Sequence, residues 1–140
     1  MRVLVVDDEP DVLLLCRVNF EFAGHEVLET DNAEAALTMA AVEQPDLIVL
    51  DVMLPNRDGL SILEQLAEQP ETKEVPVILL TAKTQEHDRL KGYQAGAAEY
   101  ITKPFSPIAL TEAVEAIYSM TPAERERRRD LALSQLGDAS

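Results

Sequence analysis

Tryptophan is absent from the 140-residue chain, phenylalanine and tyrosine number three each, and cysteine occurs once, at Cys16. A single thiol cannot form an intramolecular disulfide, which excludes a disulfide-stapled scaffold and fits a reducing compartment. No apolar stretch approaches the ~18 residues of a membrane span. The first residues, Met1-Arg2-Val3-Leu4, enter a strand-like run directly, without the layout of a signal peptide. The expectation is a soluble cytoplasmic protein with no membrane partner. Basic residues are scarce as well: 12 Lys and Arg face 26 Asp and Glu, a formal net charge of −14. Phosphate backbones need a basic face, so direct binding of nucleic acid is excluded. The tail is neutral, with Arg125, Arg127, Arg128 and Arg129 against Glu124, Glu126, Asp130 and Asp138, so all of the excess acid lies in residues 1–120.

What the chain does have is regular alternation. β-Branched and leucine-rich runs occur at Val3 to Val6, Glu26 to Thr30, Leu47 to Leu50, Val75 to Leu80 and Glu99 to Ile101. Leu47 to Leu50 is a continuous apolar run too short for a buried helix, which suits a central strand covered on both faces. Segments with helical spacing follow each run: 11–22 after Pro10, 32–43 behind an Asn32 cap, 58–68, the more polar 84–95, and 107–119. Five alternations of strand and helix predict a parallel sheet with helices on both faces, and right-handed crossovers make it doubly wound. Beyond Met120, Thr121-Pro122-Ala123-Glu124 reads as a capping box opening a polar helix to about Leu136. The expected organisation is one domain over 1–120 and a helical tail over 121–140, its arginines forming a solvated face.

All strands of a parallel sheet end on one rim, so the residues just past them converge. The first run ends in Asp7-Asp8-Glu9, the third in Asp51, the fourth in Thr81 and the fifth in Thr102-Lys103-Pro104. After Asp51, Met53-Leu54-Pro55-Asn56 and Asp58-Gly59 supply the residues of a loop. Several carboxylates in one partly dry pocket repel, and a divalent cation resolves the repulsion. Oxygen-only ligands select the hard ion Mg²⁺ over zinc. An ionised Asp as nucleophile, with a cation, a lysine and a hydroxyl around it, is the equipment for phosphoryl transfer to a carboxylate. Taken singly, Asp8 would be a helix cap, Lys103 a surface residue and Thr81 an ordinary strand residue. Their joint placement at successive strand ends favours the site.

VLVVDDEP (3–10), DLIVLDVMLPNRDGL (46–60), PVILLTAK (76–83) and GAAEYITKPFSP (96–107) together resemble the receiver domain of two-component response regulators over residues 1 to about 120. The resemblance implies a flavodoxin-like α/β fold with five helices and the sheet order 2-1-3-4-5, of which receivers are a standard example. By the same resemblance Asp51 is the phosphoacceptor. Asp7, Asp8 and Asp51 hold Mg²⁺, with the backbone carbonyl of Met53 as a further ligand. Thr81 and Lys103 contact the phosphoryl group, Tyr100 is an aromatic switch, and the Lys103–Pro104 peptide is expected to be cis. The implied partners are a histidine kinase or phosphotransfer protein upstream and an output protein downstream. The chain would be no enzyme beyond its own phosphorylation and dephosphorylation.

Two rivals are weaker. A haloacid-dehalogenase-type phosphatase carries a second Asp two residues after its nucleophile, where this chain has Met53. A pseudo-receiver would lack one of Asp51, Thr81 and Lys103, and all are present. DRLKGYQAGAAEYITKPFSP resembles the winged-helix subfamily, whose receivers dimerise through helix four, strand five and helix five. Arg89 and Glu99 match two charged residues of that face, but their partners fall on Ala109 and Ala113. The expectation is therefore a monomer or weak dimer, acting as a stand-alone regulator whose activated face (Arg89, Lys91, Tyr100, Ile108) meets another protein. The alternative is a receiver fragment of a longer regulator with a DNA-binding or enzymatic output domain. Cys16 reads as a small packed residue, and neither His25 nor His87 has a ligand partner at metal spacing.

Overall fold

Val3 to Val6, Leu47 to Leu50 and Val77 to Thr81 are almost wholly removed from solvent, because each forms an inner strand with helices over both faces. The computed structural model describes residues 1–55 and 57–138. Strands β1 (Arg2–Val6), β2 (Glu26–Thr30), β3 (Leu47–Leu50), β4 (Val77–Thr81) and β5 (Glu99–Thr102) pair in parallel in the order 2-1-3-4-5. The inner strands read as unbroken apolar runs, as burial on both faces requires. The edge strands β2 and β5 keep polar residues and are only partly covered. β4 starts two residues later than its apolar run suggests. Val75 is held in a turn by its N–H bond to Thr72 O, and Pro76 has no N–H to give a ladder.

Side chains alternate across the sheet and build two cores. Leu4, Val6, Ile48, Leu50 and Leu79 face helices α2 (Ala33–Glu43), α3 (Gly59–Glu68) and α4 (Glu86–Gln94). Val3, Val5, Leu47, Val49, Ile78 and Leu80 face α1 (Pro10–Phe22) and α5 (Pro107–Ser119). Local signals set the helix starts. Asn32 Oδ1 accepts from Ala35 N–H, Asp58 Oδ1 from Leu60 N–H and Ser106 Oγ from Ala109 N–H, while Pro10 opens α1. Cys16 is buried on the inner face of α1.

Two features differ from the reading of the sequence. The loop after β3 closes on itself as a two-residue antiparallel ladder, Met53 opposite Asp58 and Leu54 opposite Arg57; Asn56, read as part of that loop, lies outside the described residues. The polar helix expected beyond Met120 forms α6 (Pro122–Asp138), a sixth helix beside the five expected of the domain, and it differs from the expectation in being docked instead of standing in solvent. Its start is the expected capping box: Thr121 N–H donates to Glu124 Oε1 and Glu124 N–H to Thr121 Oγ1. Arg125 then donates to the last carbonyls of α5, Ile117 O at 2.9 Å and Tyr118 O at 3.1 Å. Ala132, Leu133 and Leu136 pack against the core under α4, and Arg128 pairs with Glu99 at the start of β5. At least two of the four tail arginines are thus engaged with the domain. Among the described residues no helix is long and apolar enough to cross a membrane.

Candidate functional site

The order of the strands reverses between β1 and β3, and open parallel sheets bind ligands outside the carboxyl ends of the strands at such a point. Asp7 follows β1 directly and Asp51 follows β3. The ladder continues one residue further, with Asp51 N–H donating to Val6 O at 2.9 Å, so the two aspartates stand side by side. Both are buried, 1% and 3% exposed. Each carboxylate is oriented by the turn that follows it: Asp7 Oδ1 accepts from Glu9 N–H at 2.9 Å, and Asp51 Oδ1 from Met53 N–H at 2.8 Å. The β3–α3 turn also depends on Gly59, where a Cβ would lie 2.5 Å from Asp51 O and 2.6 Å from Val52 Cα. No side chain fits there.

Lys103 enters from the end of β5. Its N–H donates to Thr81 O at 2.8 Å, and the following peptide, Lys103–Pro104, is cis. Its Nζ donates to Asp51 Oδ2 at 2.9 Å and Glu9 Oε1 at 2.7 Å, and lies 2.8 Å from Asp7 Oδ2. The last contact is an ion pair without hydrogen-bond alignment, which leaves Asp7 Oδ2 buried with no donor. Burial pushes the Asp7 carboxyl above its ordinary pKa, against the pull of Lys103 and Glu9 N–H. Burial works against the Lys103 ammonium too, but Asp7, Glu9 and Asp51 outweigh it and raise its pKa.

Oxygens of Asp7, Asp8, Glu9 and Asp51 lie within 4.8 Å of one another. One ammonium cannot neutralise four carboxylates, and the buried Asp7 Oδ2 has only the Lys103 ammonium, shared with Glu9 and Asp51, as its partner. The set is entirely oxygen, with Asp8 and Glu9 on the open side, so the residues fit a hard divalent cation such as Mg²⁺.

Residues 3–115 match the response regulator receiver domain. The chain belongs to that family. Such receivers are phosphorylation-activated modules of two-component signalling. This receiver is 45% identical over 116 residues to the alkaline phosphatase synthesis transcriptional regulatory protein PhoP of Bacillus subtilis, covering 83% of this chain and 48% of PhoP. It is 34% identical to protein PilH of Pseudomonas aeruginosa, covering 83% of this chain and 96% of PilH. The structure of chemotaxis protein CheY4 of Vibrio cholerae superposes with a TM-score of 0.78 at 28% identity, covering 83% of this chain and 97% of CheY4. The chain spans about half the length of the transcriptional regulators it matches, 48% for PhoP and 55% for PhoB of Pseudomonas aeruginosa.

In the receiver, Asp7, Asp8, Asp51 and Lys103 come together, and Met53 adjoins them through its backbone. Thr81 is fully buried at the end of β4, its Oγ1 accepting from Lys83 N–H at 3.3 Å. Tyr100 stands apart from the carboxylates. Its ring is buried under α4, its hydroxyl donates to Lys83 O at 2.8 Å, and the Arg89 guanidinium lies 5.8 Å from the ring centroid. Burial, with the field of Asp88, pushes the phenol up to about 12, so it remains a donor at neutral pH. Two participants, Glu9 and Gly92, escaped the sequence reading, and Glu99, read there as a residue of the dimer face, serves inside the domain instead. Glu9 was taken only as part of the acidic run, although that run was itself the signal. Gly92 has no Cβ to obstruct the Tyr100 ring, and Glu99 accepts at once from Tyr93 OH, Tyr100 N–H and Arg128.

Proposed function

We propose that Asp51 accepts a phosphoryl group from a histidine kinase or phosphotransfer protein in a Mg²⁺-dependent reaction. The observation that carries this reading is the buried Asp51 carboxylate, held by Lys103 inside a cluster of carboxylates that one ammonium cannot neutralise. An Asp51 oxygen attacks phosphorus; the O–P bond forms as the P–N bond to the donor imidazole breaks, and the imidazole nitrogen keeps the bonding pair. Lys103, already 2.9 Å from Asp51 Oδ2, is a fixed positive charge beside the oxygens on which charge builds. Thr81 donates its hydroxyl to the transferred group. Asp7, Asp8, Asp51 and the Met53 carbonyl would hold Mg²⁺, which when bound supplies charge compensation for the phosphoryl oxygens.

Residues 1–120 are the receiver in this proposal and 121–140 its helical tail, acting in the cytoplasm on protein partners without catalysing any reaction but its own phosphorylation and dephosphorylation. The charged dimer of the winged-helix subfamily is not supported. Ala109 and Ala113 leave its pairs incomplete, and the other halves are used internally, Arg89 over Tyr100 and Glu99 by Tyr93 and Arg128. A monomer or weak dimer follows, with an output protein as partner. A receiver portion of a longer regulator is the second reading, favoured by regulators such as PhoP that are about twice the matched length.

Acetyl phosphate with Mg²⁺ should raise the intact mass by one phosphoryl group, and Asp51→Asn or chelation should abolish the gain. Labelling that persists in Asp51→Asn, or that ignores chelation, overturns the assignment.

A further inference from the structure

Strand β5 pairs on one side only, with β4, so backbone donors on its other side need partners from elsewhere. Tyr100 N–H finds one in its own neighbour. Glu99 Oε1 accepts from it at 3.1 Å and from Tyr93 OH, on α4, at 2.8 Å. One carboxylate oxygen thus joins the strand that carries Tyr100 to the helix packed over its ring. The Tyr93 and Tyr100 rings are both buried, with centroids 6.5 Å apart and planes tilted by 41°. The other oxygen, Glu99 Oε2, faces Arg128 of α6, and among the described residues Arg128 is the only cation paired with Glu99.

The Glu99 side chain keeps 18% of its surface in solvent, and a cavity of about 220 Å³ lined by Tyr93, Glu99 and Arg128 adjoins it. The carboxylate therefore has room to turn outward, where water would compete for both oxygens, unless its second oxygen is held. Arg128 holds it, and α6 holds Arg128. The helix is anchored on both sides of that residue: Arg125 donates to Ile117 O and Tyr118 O, and Leu133 and Leu136 pack against the core beside α4. From Arg128 the contacts run through Glu99 to Tyr93 OH and Tyr100 N–H, and Tyr100 OH is tied in turn to Lys83 O.

We propose that Arg128 is a positioning residue for the Tyr100 switch: it fixes the Glu99 carboxylate, which holds Tyr93 and the Tyr100 backbone, and so couples the tail helix to the buried ring. This coupling builds on the role proposed for Tyr100, but its readouts need no phosphodonor, so a failure of phosphotransfer to Asp51 would leave them unchanged.

Arg128→Gln in the full chain removes one charge from a side chain that is 41% exposed, while Arg125, Leu133 and Leu136 keep α6 attached. Glu99 should then turn outward part of the time. Ion pairs of this exposure shift an equilibrium roughly two- to fivefold, so hydrogen exchange at Tyr100 N–H should speed up by about that factor. The Tyr93 phenol, which burial and then Glu99 push up to about 12, should ionise earlier, as followed by NMR of ring-labelled tyrosine. The sign is diagnostic. Taking away a positive charge would by itself push the phenol higher, so a fall requires Glu99 to let go. Arg127→Gln, the same loss of charge at an exposed neighbour, should change neither readout. In a Glu99→Gln background, where no carboxylate is left to pair, Arg128→Gln should add nothing. Unchanged exchange or a later phenol in Arg128→Gln overturns the proposal, as does an equal effect from Arg127→Gln or an undiminished one in the Glu99→Gln background. Loss of amide protection along α6 in Arg128→Gln would make the change one of helix detachment, and Arg128 no positioning residue.

Discussion

Replacing Gly92 by alanine sets two opposed effects against each other. Gly92 lies inside α4, and its backbone is not in the left-handed region, so an alanine would meet no backbone strain. By helix propensity alone the change should stabilise the protein by about 1 kcal/mol. The new Cβ, however, would stand 2.8 Å from Leu79 Cδ1, 2.9 Å from Tyr100 Cδ2 and 3.1 Å from Tyr100 Cε2. Carbon atoms prefer roughly 3.5–4.0 Å, so the neighbours must give way by about 0.7 Å. Leu79 is fully buried in the sheet and cannot retreat. Tyr100 can move only by straining or releasing its hydrogen bond to Lys83 O, a bond worth about 1 kcal/mol net. Overpacking of this kind costs about 1–3 kcal/mol. The balance is a net loss of about 1 kcal/mol, or a fall in Tm of roughly 2–4 °C for a domain of this size.

Urea unfolding followed by circular dichroism measures that balance, and the Tyr100 ring resonances report whether the ring has moved. The decisive control is Tyr100→Ala, which removes two of the three close contacts. In that background Gly92→Ala should cost clearly less than in the unaltered protein, because Leu79 Cδ1 alone is left to oppose the propensity term. A coupling near zero between the two substitutions, or a Gly92→Ala protein stabilised by the full propensity term with Tyr100 unmoved, would refute the packing argument.

Asp7→Asn should stabilise the metal-free protein, since burial of that carboxyl outweighs its partners, and should remove the rise in Tm that Mg²⁺ produces; a stability that falls without metal contradicts the burial argument. Asp8→Ala should weaken Mg²⁺ binding with little effect on the metal-free fold, because Asp8 is exposed, and isothermal titration measures the change. Burial raises the phenols of Tyr93 and Tyr100 to about 12, from an ordinary value near 10. A raised folded pKa means that the neutral phenol contributes stability below pH ~10 and that this is lost as pH rises towards 12. Absorbance titration should find two of the three tyrosines ionising late, together with alkaline unfolding; three early, simultaneous ionisations would contradict it. Thr81 Oγ1 accepts from Lys83 N–H and Tyr100 OH donates to Lys83 O, so Thr81→Ala should still accept phosphate but pass on less of the change to Tyr100 and α4; equal chemical-shift changes in variant and wild type on phosphorylation would refute that connection.

Much of the molecule is written locally. Continuous apolar runs at Val3 to Val6 and Leu47 to Leu50 specify strands buried on both sides, and Asn32, Asp58, Ser106 and the Thr121–Glu124 box mark helix starts by bonds within three residues. The strand ends that converge on the rim could be read the same way, because a parallel sheet brings Asp7, Asp51, Thr81 and Lys103 to one edge whatever their separation in the chain. The resemblance to receivers supplied the strand order, which apolar periodicity leaves open. The two-residue ladder after β3 was not legible, since two residues a side are too few to show a period and the Pro and Gly around them signal only a loop.

The sequence by itself determined the strands, the capped helices and the acidic rim, because periodicity, capping and strand termination are properties of neighbouring residues. Tertiary structure alone decided which cation meets which carboxylate. Glu9 and Lys103 are 94 positions apart, and Arg128 and Glu99 are 29 apart. Whether a charge rests in solvent or against a distant partner depends on crossovers and on the path of α6, which composition does not encode. The same holds for Tyr100. Its burial rests on the absence of one methyl group at Gly92 on a facing helix, a matter of interatomic distance that exists only once α4 is laid against β4 and β5.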